Sequence, residues 1–547
     1  MIDLKNSPGT LKYSRKLTDL VGELKTSPPV TSRQYENTTR LIAVSGDFFS
    51  RLGMTNAATG RHSPESVVLE SGHQTNFMPH CGMWKKAYLL SWVHQKIIES
   101  GGESIPFFGF ADQNLSTAKY LYRNHVPALN NNGSEPIGFK IDEKCRFRTF
   151  RSLEKPEEPV WQKEMDRIKQ LYHGNARKLP DRPIFFSTAL DTLLEILWKS
   201  YDRADNFAEL NAFIFARICH DVLGFDLKFF MYSDIQREKL FLEESIQLLA
   251  HLRSYNQTYN TIIQEKNLKI PVVTPEHVPF WYHCTCGSKI ELFIDDTFTA
   301  NGVCPFCKEE YGLFFGKNFE NLGQFFDRMD FTAVSRNIVV SLGIGNALFI
   351  PGAGGSLQYG AISDGIAKAF AFHQPLTLSW RSSDYYLGLV HTIVLKDLLK
   401  AAGCITGDLP GDALGEKIAG RIRAISAEIA CAETGNHDKK TQKSMKNNLR
   451  QFLNLVESAE KIFSLTPSAL DVLVNNDPEG IPPLWDEACQ RALVSTEGGL
   501  NQIEEDILYP NALLRDLVPG ALPTLYRSIR QLEVSNGKKN TDCQPSH

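Results

Sequence analysis

Val67-Val68-Leu69-Glu70-Ser71-Gly72, a helical period from Trp84 to Glu99, and Ile105-Pro106-Phe107-Phe108-Gly109-Phe110-Ala111-Asp112 form the stretch that decides the fold. The first run reads as a short buried strand ending in a turn, and the last as a second strand ending in a carboxylate. Strand, turn, helix, strand is half of a parallel α/β layer. Ligands of such sheets sit outside the carboxyl ends of the strands. Two polar clusters fall there, His73 to Asn76 and Asp112 to Asn114.

Working outward, residues 1–65 read as a polar N-terminal extension with short helices, and 66–150 as the first part of the core. Residues 151–276 read as a helical insertion, with apolar spacings of three and four from Ala189 to Trp198, Asn206 to Leu223 and Gln236 to Gln264. Strand-like runs resume at Asn337 to Leu342, Ala347 to Ile350 and Leu376 to Ser379, so 317–411 is expected to complete the sheet. In 412–465, Ile418, Ile422, Ile425 and Ile429, then Met445, Leu449, Phe452, Val456, Ala459 and Phe463, alternate by threes and fours around a break at Gly435-Asn436-His437-Asp438. That predicts a helical hairpin with coiled-coil seams, a surface on which a homodimer can form. Residues 466–547 are expected to be a C-terminal helical segment and a disordered polar tail. The expected fold class is α/β: a Rossmann-like core interrupted by a helical insertion and a zinc ribbon, followed by the helical hairpin.

The ribbon rests on Cys284 and Cys286, a C-x-C pair, and Cys304 and Cys307, a C-x-x-C pair, within 277–316. Two close thiolate pairs can each bite one side of a tetrahedral ion. Gly287, Gly302 and Pro305 sit where such knuckles turn. A Cys₄ site keeps no open position, so its zinc is expected to be structural.

The 547 residues exceed one small core. Apolar residues make up 42% and charged residues 22%, with a formal net charge of −4, as in ordinary globular chains. No basic excess points to a nucleic-acid partner, and no apolar run of about 18 residues predicts a membrane span. Eleven cysteines, four of them in the ribbon and the rest scattered, are expected of a reducing cytoplasm.

The leading active-site candidate is Ser71 to Gly82 with Lys86. A glycine turn at Gly72 would offer backbone N–H groups to an anion. His73 and His80 offer proton transfer or phosphate contacts near neutral pH. Gln74, Asn76 and Lys86 are candidate substrate contacts. Asp112 reads either as a ligand for an amine, a ribose or a metal, or as the N-cap of a helix over Leu115 to Leu121. Gly352-Ala353-Gly354-Gly355-Ser356, with Tyr359 beyond, is a small-residue loop entering a helix. It lacks the G-K-[ST] of a P-loop, and nothing in the sequence decides whether ATP takes part. Arg381 follows a strand, and can hold an anion in bidentate fashion or pair with Asp384.

In this order, the pieces resemble the BshC family, the cysteine-adding ligases of bacillithiol biosynthesis. Ser71-Gly72-His73-Gln74 and Lys86 look like that family's T-G-Q-Q turn and following lysine. Pro106 to Asp112 resembles its P-V-F-W strand, of whose E-D-H-D cluster only Asp112 persists. Asp205 to Ala208, Phe331 to Arg336, Ile350 to Tyr359 and Arg381-Ser382 resemble its N-F-A, L-S-P-x-x-x-L-R-P, G-G-P-G-E-x-x-Y and P-R-x-S segments. The loop glutamate is replaced by Ser356 or Leu357, and the ribbon is outside the family pattern. His73 to Gly82 is also similar to the H-Q-P-N-Y-x-P-W-x-G segment of WbqC-like proteins. The resemblance implies a ligase joining a cysteine-like amine or thiol to an electrophilic small molecule. In that reading His73 is the base or phosphate contact, Asp112 holds the amine, and Arg381 with the glycine loop holds the anion. The implied fold is similar to class I aminoacyl-tRNA synthetases and nucleotidyltransferases, which makes such an enzyme one alternative. A non-catalytic protein docking through ribbon and coiled coil is the other.

Overall fold

The computed structural model describes residues 14–54, 62–179, 185–352, 356–401, 423–430, 439–466, 468–497 and 500–509, with isolated positions at 403, 417, 420, 421, 523 and 529. Its centre is an eight-stranded sheet. From one edge the strands are Ser14–Lys16, Leu493–Glu497, Leu500–Glu504, Leu376–Arg381, Leu348–Ile350, Val67–Gln74, Ser104–Ala111 and Lys228–Met231. The last six are mutually parallel, and the first two join antiparallel. Numbered along the chain and read from the Lys228–Met231 edge, the parallel six run 3-2-1-4-5-6. The order reverses between Val67–Gln74 and Leu348–Ile350, whose adjacent carboxyl ends open a crevice.

Alternation along the strands feeds two cores, one on each face of the sheet. Val67, Leu69, Phe108 and Phe110 belong to one core with Trp84 and Val93 of the helix Cys81–Glu99. Val68, Ile105, Phe107 and Phe230 belong to the other, with Val334 and Ile338 of the helix Ala333–Ile344. Gly72 and Gly109 face each other in register. A Cβ on Gly72 would lie 2.6 Å from the Gly109 carbonyl oxygen, so close backbone approach requires a glycine there.

Several expectations change. Residues 14–54 form part of this core rather than a separate extension: Ser14–Lys16 pairs with Leu493–Glu497, and the helix Ser32–Leu52 buries Leu41, Val44, Phe48 and Phe49. The helical stretch after residue 151 contains the edge strand Lys228–Met231. Asn337 to Leu342 is helical: Thr332 caps Ala333–Ile344 through Ser335 N–H, and Gly345 ends it at φ +60°. Burial around much of that helix produces an apolar run resembling a buried strand. Beyond residue 466 come two helices and then the hairpin Leu493–Glu497 and Leu500–Glu504.

Residues 277–314 form four antiparallel strands, joined by Met329–Phe331 in a five-stranded sheet. The helix Lys439–Ser464 buries Phe452, Val456, Ala459 and Phe463, in one cluster with Ile425, Ile429 and residues of the helix Leu389–Ala401. Ile418, Ile422, the proposed break and the polar tail lie outside the described residues. Among the described residues, no helix is long and apolar enough to cross a membrane.

Candidate active site and metal centre

A cavity of about 780 Å³ opens at the reversal point. Its floor is made by strand ends, with Gly72, His73, Gln74, Asp112 and Gly352. Helices add Lys86, Tyr232, Arg336 and Tyr359. The opposite wall comes from the cysteine-bearing sheet, through Trp281, Lys289, Glu291 and Asp330. Thus Gly72, His73, Gln74, Lys86, Asp112, Gly352 and Tyr359 line one cavity, as the strand-end argument requires.

Other candidates fall elsewhere. Asn76 directs its amide to Met83 Sδ at 3.8 Å. His80 occupies the N-cap position of Cys81–Glu99 and bridges Ser468. Arg381 ends a strand separated from Val67–Gln74 by Leu348–Ile350, and is not a lining residue. Its alternative partner, Asp384, is held by Lys85 Nζ at 2.6 Å and Cys81 Sγ at 3.0 Å. Gly354 and Gly355 are outside the described residues, as is the side chain of Ser356, which opens the helix Ser356–Ala369.

The local chemistry also differs from the sequence reading. Gly72 lies within the strand Val67–Gln74, not in a turn, and its carbonyl accepts from Lys86 Nζ. The anion-binding N–H turn is therefore replaced by a lysine fixed at the strand end. Asp112 is fully buried and already paired: Arg151 Nη1 donates at 2.9 Å and Ser233 N–H at 3.2 Å. It meets a ligand as a neutralised pair, not as a free carboxylate awaiting an amine. The N–H it caps belongs to Tyr232–Arg237, not to a helix over 115–121, where the short turn Lys119–Leu121 begins after Ala118.

His73 donates from Nδ1 to the Gln74 carbonyl at 3.2 Å. Burial, with Lys86 and Arg336 beside it, pushes its pKa down to about 3. Its imidazole is neutral at pH 7 and a weaker proton acceptor than an ordinary histidine, which disfavours a general-base role. Lys86 is lowered to about 7 by burial and by Arg336, against the opposing pull of Glu70. The Arg336 guanidinium lies 4.9 Å from the centre of the Tyr232 ring. Lys289 and Asp330 form a buried ion pair on the far wall, with Lys289 Nζ 5.7 Å from the Trp281 ring centre.

That wall is tied to the cysteines. Trp281 lies on His277–His283, which leads into Cys284, and Lys289 opens the strand after Cys286. The Sγ atoms of Cys284, Cys286, Cys304 and Cys307 all lie within 4.8 Å of one another. Cys284 and Cys307 are 3.4 Å apart, and Cys286 and Cys304 are 3.6 Å apart. A tetrahedral ion with Zn–S bonds of ~2.3 Å has sulfur–sulfur edges of about 3.8 Å, so the cluster fits one metal ion and is consistent with zinc. Gly287 turns at φ +87° with its N–H on Cys284 O, and Cys307 N–H points to Cys304 Sγ at 3.4 Å. Tyr311 Oη and Glu309 Oε2 lie 3.3 and 3.5 Å from Cys284 Sγ, beside the four-sulfur cluster.

The sequence reading did not identify Tyr232, Lys289, Asp330 or Trp281 as cavity residues. Arg336 carried a signal, as the arginine of the family-like segment Phe331 to Arg336. No protein-family model matches the chain, and a search of the curated proteins finds no match.

Proposed function

We propose that this chain is a small-molecule ligase with a Rossmann-like core, a structural zinc ribbon and a coiled-coil hairpin. The observation that carries the reading is that Lys86, fixed on the Gly72 carbonyl, and Arg336, stacked on Tyr232, line one cavity at the reversal of strand order. Arg336 would hold an anionic group of the acceptor in bidentate fashion. Lys86, half deprotonated near pH 7, would take the proton from an amine or thiol donor as its nitrogen or sulfur bonds to the acceptor's electrophilic carbon and the bond from that carbon to its anionic leaving group, held by Arg336, breaks. Neutral His73 would hydrogen-bond the donor or acceptor without carrying charge. Zinc held by Cys284, Cys286, Cys304 and Cys307 would supply rigidity to the wall bearing Trp281 and Lys289, with no part in bond making.

The test is a mass-spectrometric search for coupled product, using cysteine and a panel of electrophilic acceptors, with and without ATP. Lys86→Met should keep the fold by circular dichroism and lose roughly 10²-fold or more in rate, as loss of a general base does. Absence of product with any acceptor, or an unchanged rate in Lys86→Met, refutes the reading. The 3-2-1-4-5-6 order also favours a nucleotidyltransferase as second reading, because such crevices accept nucleotides. Nucleoside triphosphate turnover without product coupling would select it.

A further inference from the structure

Beneath the cavity floor lies a carboxylate that the proposed chemistry does not use. Glu70 sits in the middle of the strand Val67–Gln74 and is 2% exposed. One of its oxygens accepts from the Tyr232 hydroxyl at 3.1 Å, and the other from Asn346 Nδ2 at 2.6 Å. Tyr232 in turn lies under the Arg336 guanidinium. The charged groups acting on Glu70 are Arg336 and Lys86, both at the cavity. Those acting on Lys86 are Arg336 and Glu70. An acid in this position is costly unless it does something: a buried carboxylate is tolerated only when hydrogen-bonded and charge-compensated.

We infer that Glu70 is a positioning residue, the buried counter-charge that holds Tyr232 and Arg336 in place and sets the protonation of Lys86 from below. The inference rests on the assignment of Lys86 and Arg336 to the functional site. Burial raises Glu70 to about 7, so its charge is present only as the pH approaches and passes neutrality. The Glu70 anion raises the pKa of Lys86, which burial and Arg336 lower. Removing that anion therefore moves Lys86 further down and leaves a larger neutral fraction at lower pH.

The experiment is competitive acylation of the intact protein with trace acetic anhydride across pH 5 to 10, with Lys86 followed by peptide mass spectrometry. It needs no substrate and no activity. Glu70→Gln keeps an acceptor for Tyr232. Asn346 Oδ1, which is buried and makes no hydrogen bond, can turn to accept from the new amide. The labelling midpoint of Lys86 should fall by about one pH unit, the lower end of what a nearby opposite charge produces. Tyr232→Phe removes a hydrogen bond that favours the Glu70 anion, and should move the midpoint the same way by less. A merely structural role for Glu70 would change stability and leave the midpoint in place. An unchanged or raised midpoint in folded Glu70→Gln, or in Tyr232→Phe if the first variant does not fold, overturns the inference. A shifted midpoint in a protein without coupling activity would keep the role of Glu70 and remove only the ligase reading.

Discussion

Replacing Gly72 by alanine separates two explanations of one glycine. If Gly72 served a turn that offers N–H groups to an anion, the variant would lose ligand and keep its fold. The structure places the residue inside a strand, with an added Cβ 2.6 Å from the carbonyl oxygen of Gly109, where ordinary contact begins at 3.4 Å. The central pair must open by about 0.8 Å, and the obstacle is backbone, which cannot rotate away. Overpacking of this kind costs about 1–3 kcal/mol. At roughly 2–4 °C per kcal/mol in a large cooperative unit, thermal unfolding should begin about 2–12 °C earlier. Gly82→Ala is the control, since a Cβ there meets nothing within 4 Å and the site is helical. It should be neutral or slightly stabilising. Differential scanning fluorimetry on the three proteins is sufficient. Equal stability of Gly72→Ala and the parent would mean that the Gly72–Gly109 register is wrong.

The purified protein should contain one zinc per chain by elemental analysis, and its chelation should change the fluorescence of Trp281, which is three residues from Cys284. Four thiols reactive in the native protein, with no metal present, would exclude the site. Asp471, buried beside Tyr172, is raised to about 7, so the folded chain binds its proton more tightly than the unfolded one. Its contribution is fully present below about pH 4 and is lost as pH rises through 7, by an amount on the order of a few kcal/mol. Asp471→Asn should reduce the difference in melting temperature between pH 5 and pH 8; an undiminished difference would place that linkage elsewhere.

Much of the layout was readable because local signals agreed. Val67 to Asp112 joins two apolar runs and an amphipathic helix, and cysteine spacing marks the ribbon independently of its surroundings. Lys228–Met231 was hidden because four residues between helices carry too little period to register. The Leu493–Glu497 and Leu500–Glu504 pair did leave a mark, Gly498-Gly499 between two alternating runs, of the sort that flags a hairpin. At the cavity, strand-end logic found Gly72, His73, Lys86 and Asp112. It could not find that Asp112 meets Arg151, or that Lys289 reaches Asp330 across the strand between them. Such pairings depend on register between distant segments, and they decide whether a carboxylate is free or spent.

The order of strands also dictates an order of completion. Ser14–Lys16 is made long before Leu493–Glu497, its one sheet neighbour among the described residues. Leu376–Arg381 likewise gains its outer neighbour only when Leu500–Glu504 has left the ribosome. Until then the nascent sheet carries an open parallel edge, a template for pairing with other chains. A chain interrupted after the long helix Lys439–Ser464 would hold both walls of the cavity and all four cysteines, but would leave that edge uncovered. Its failure would be one of solubility before it was one of chemistry.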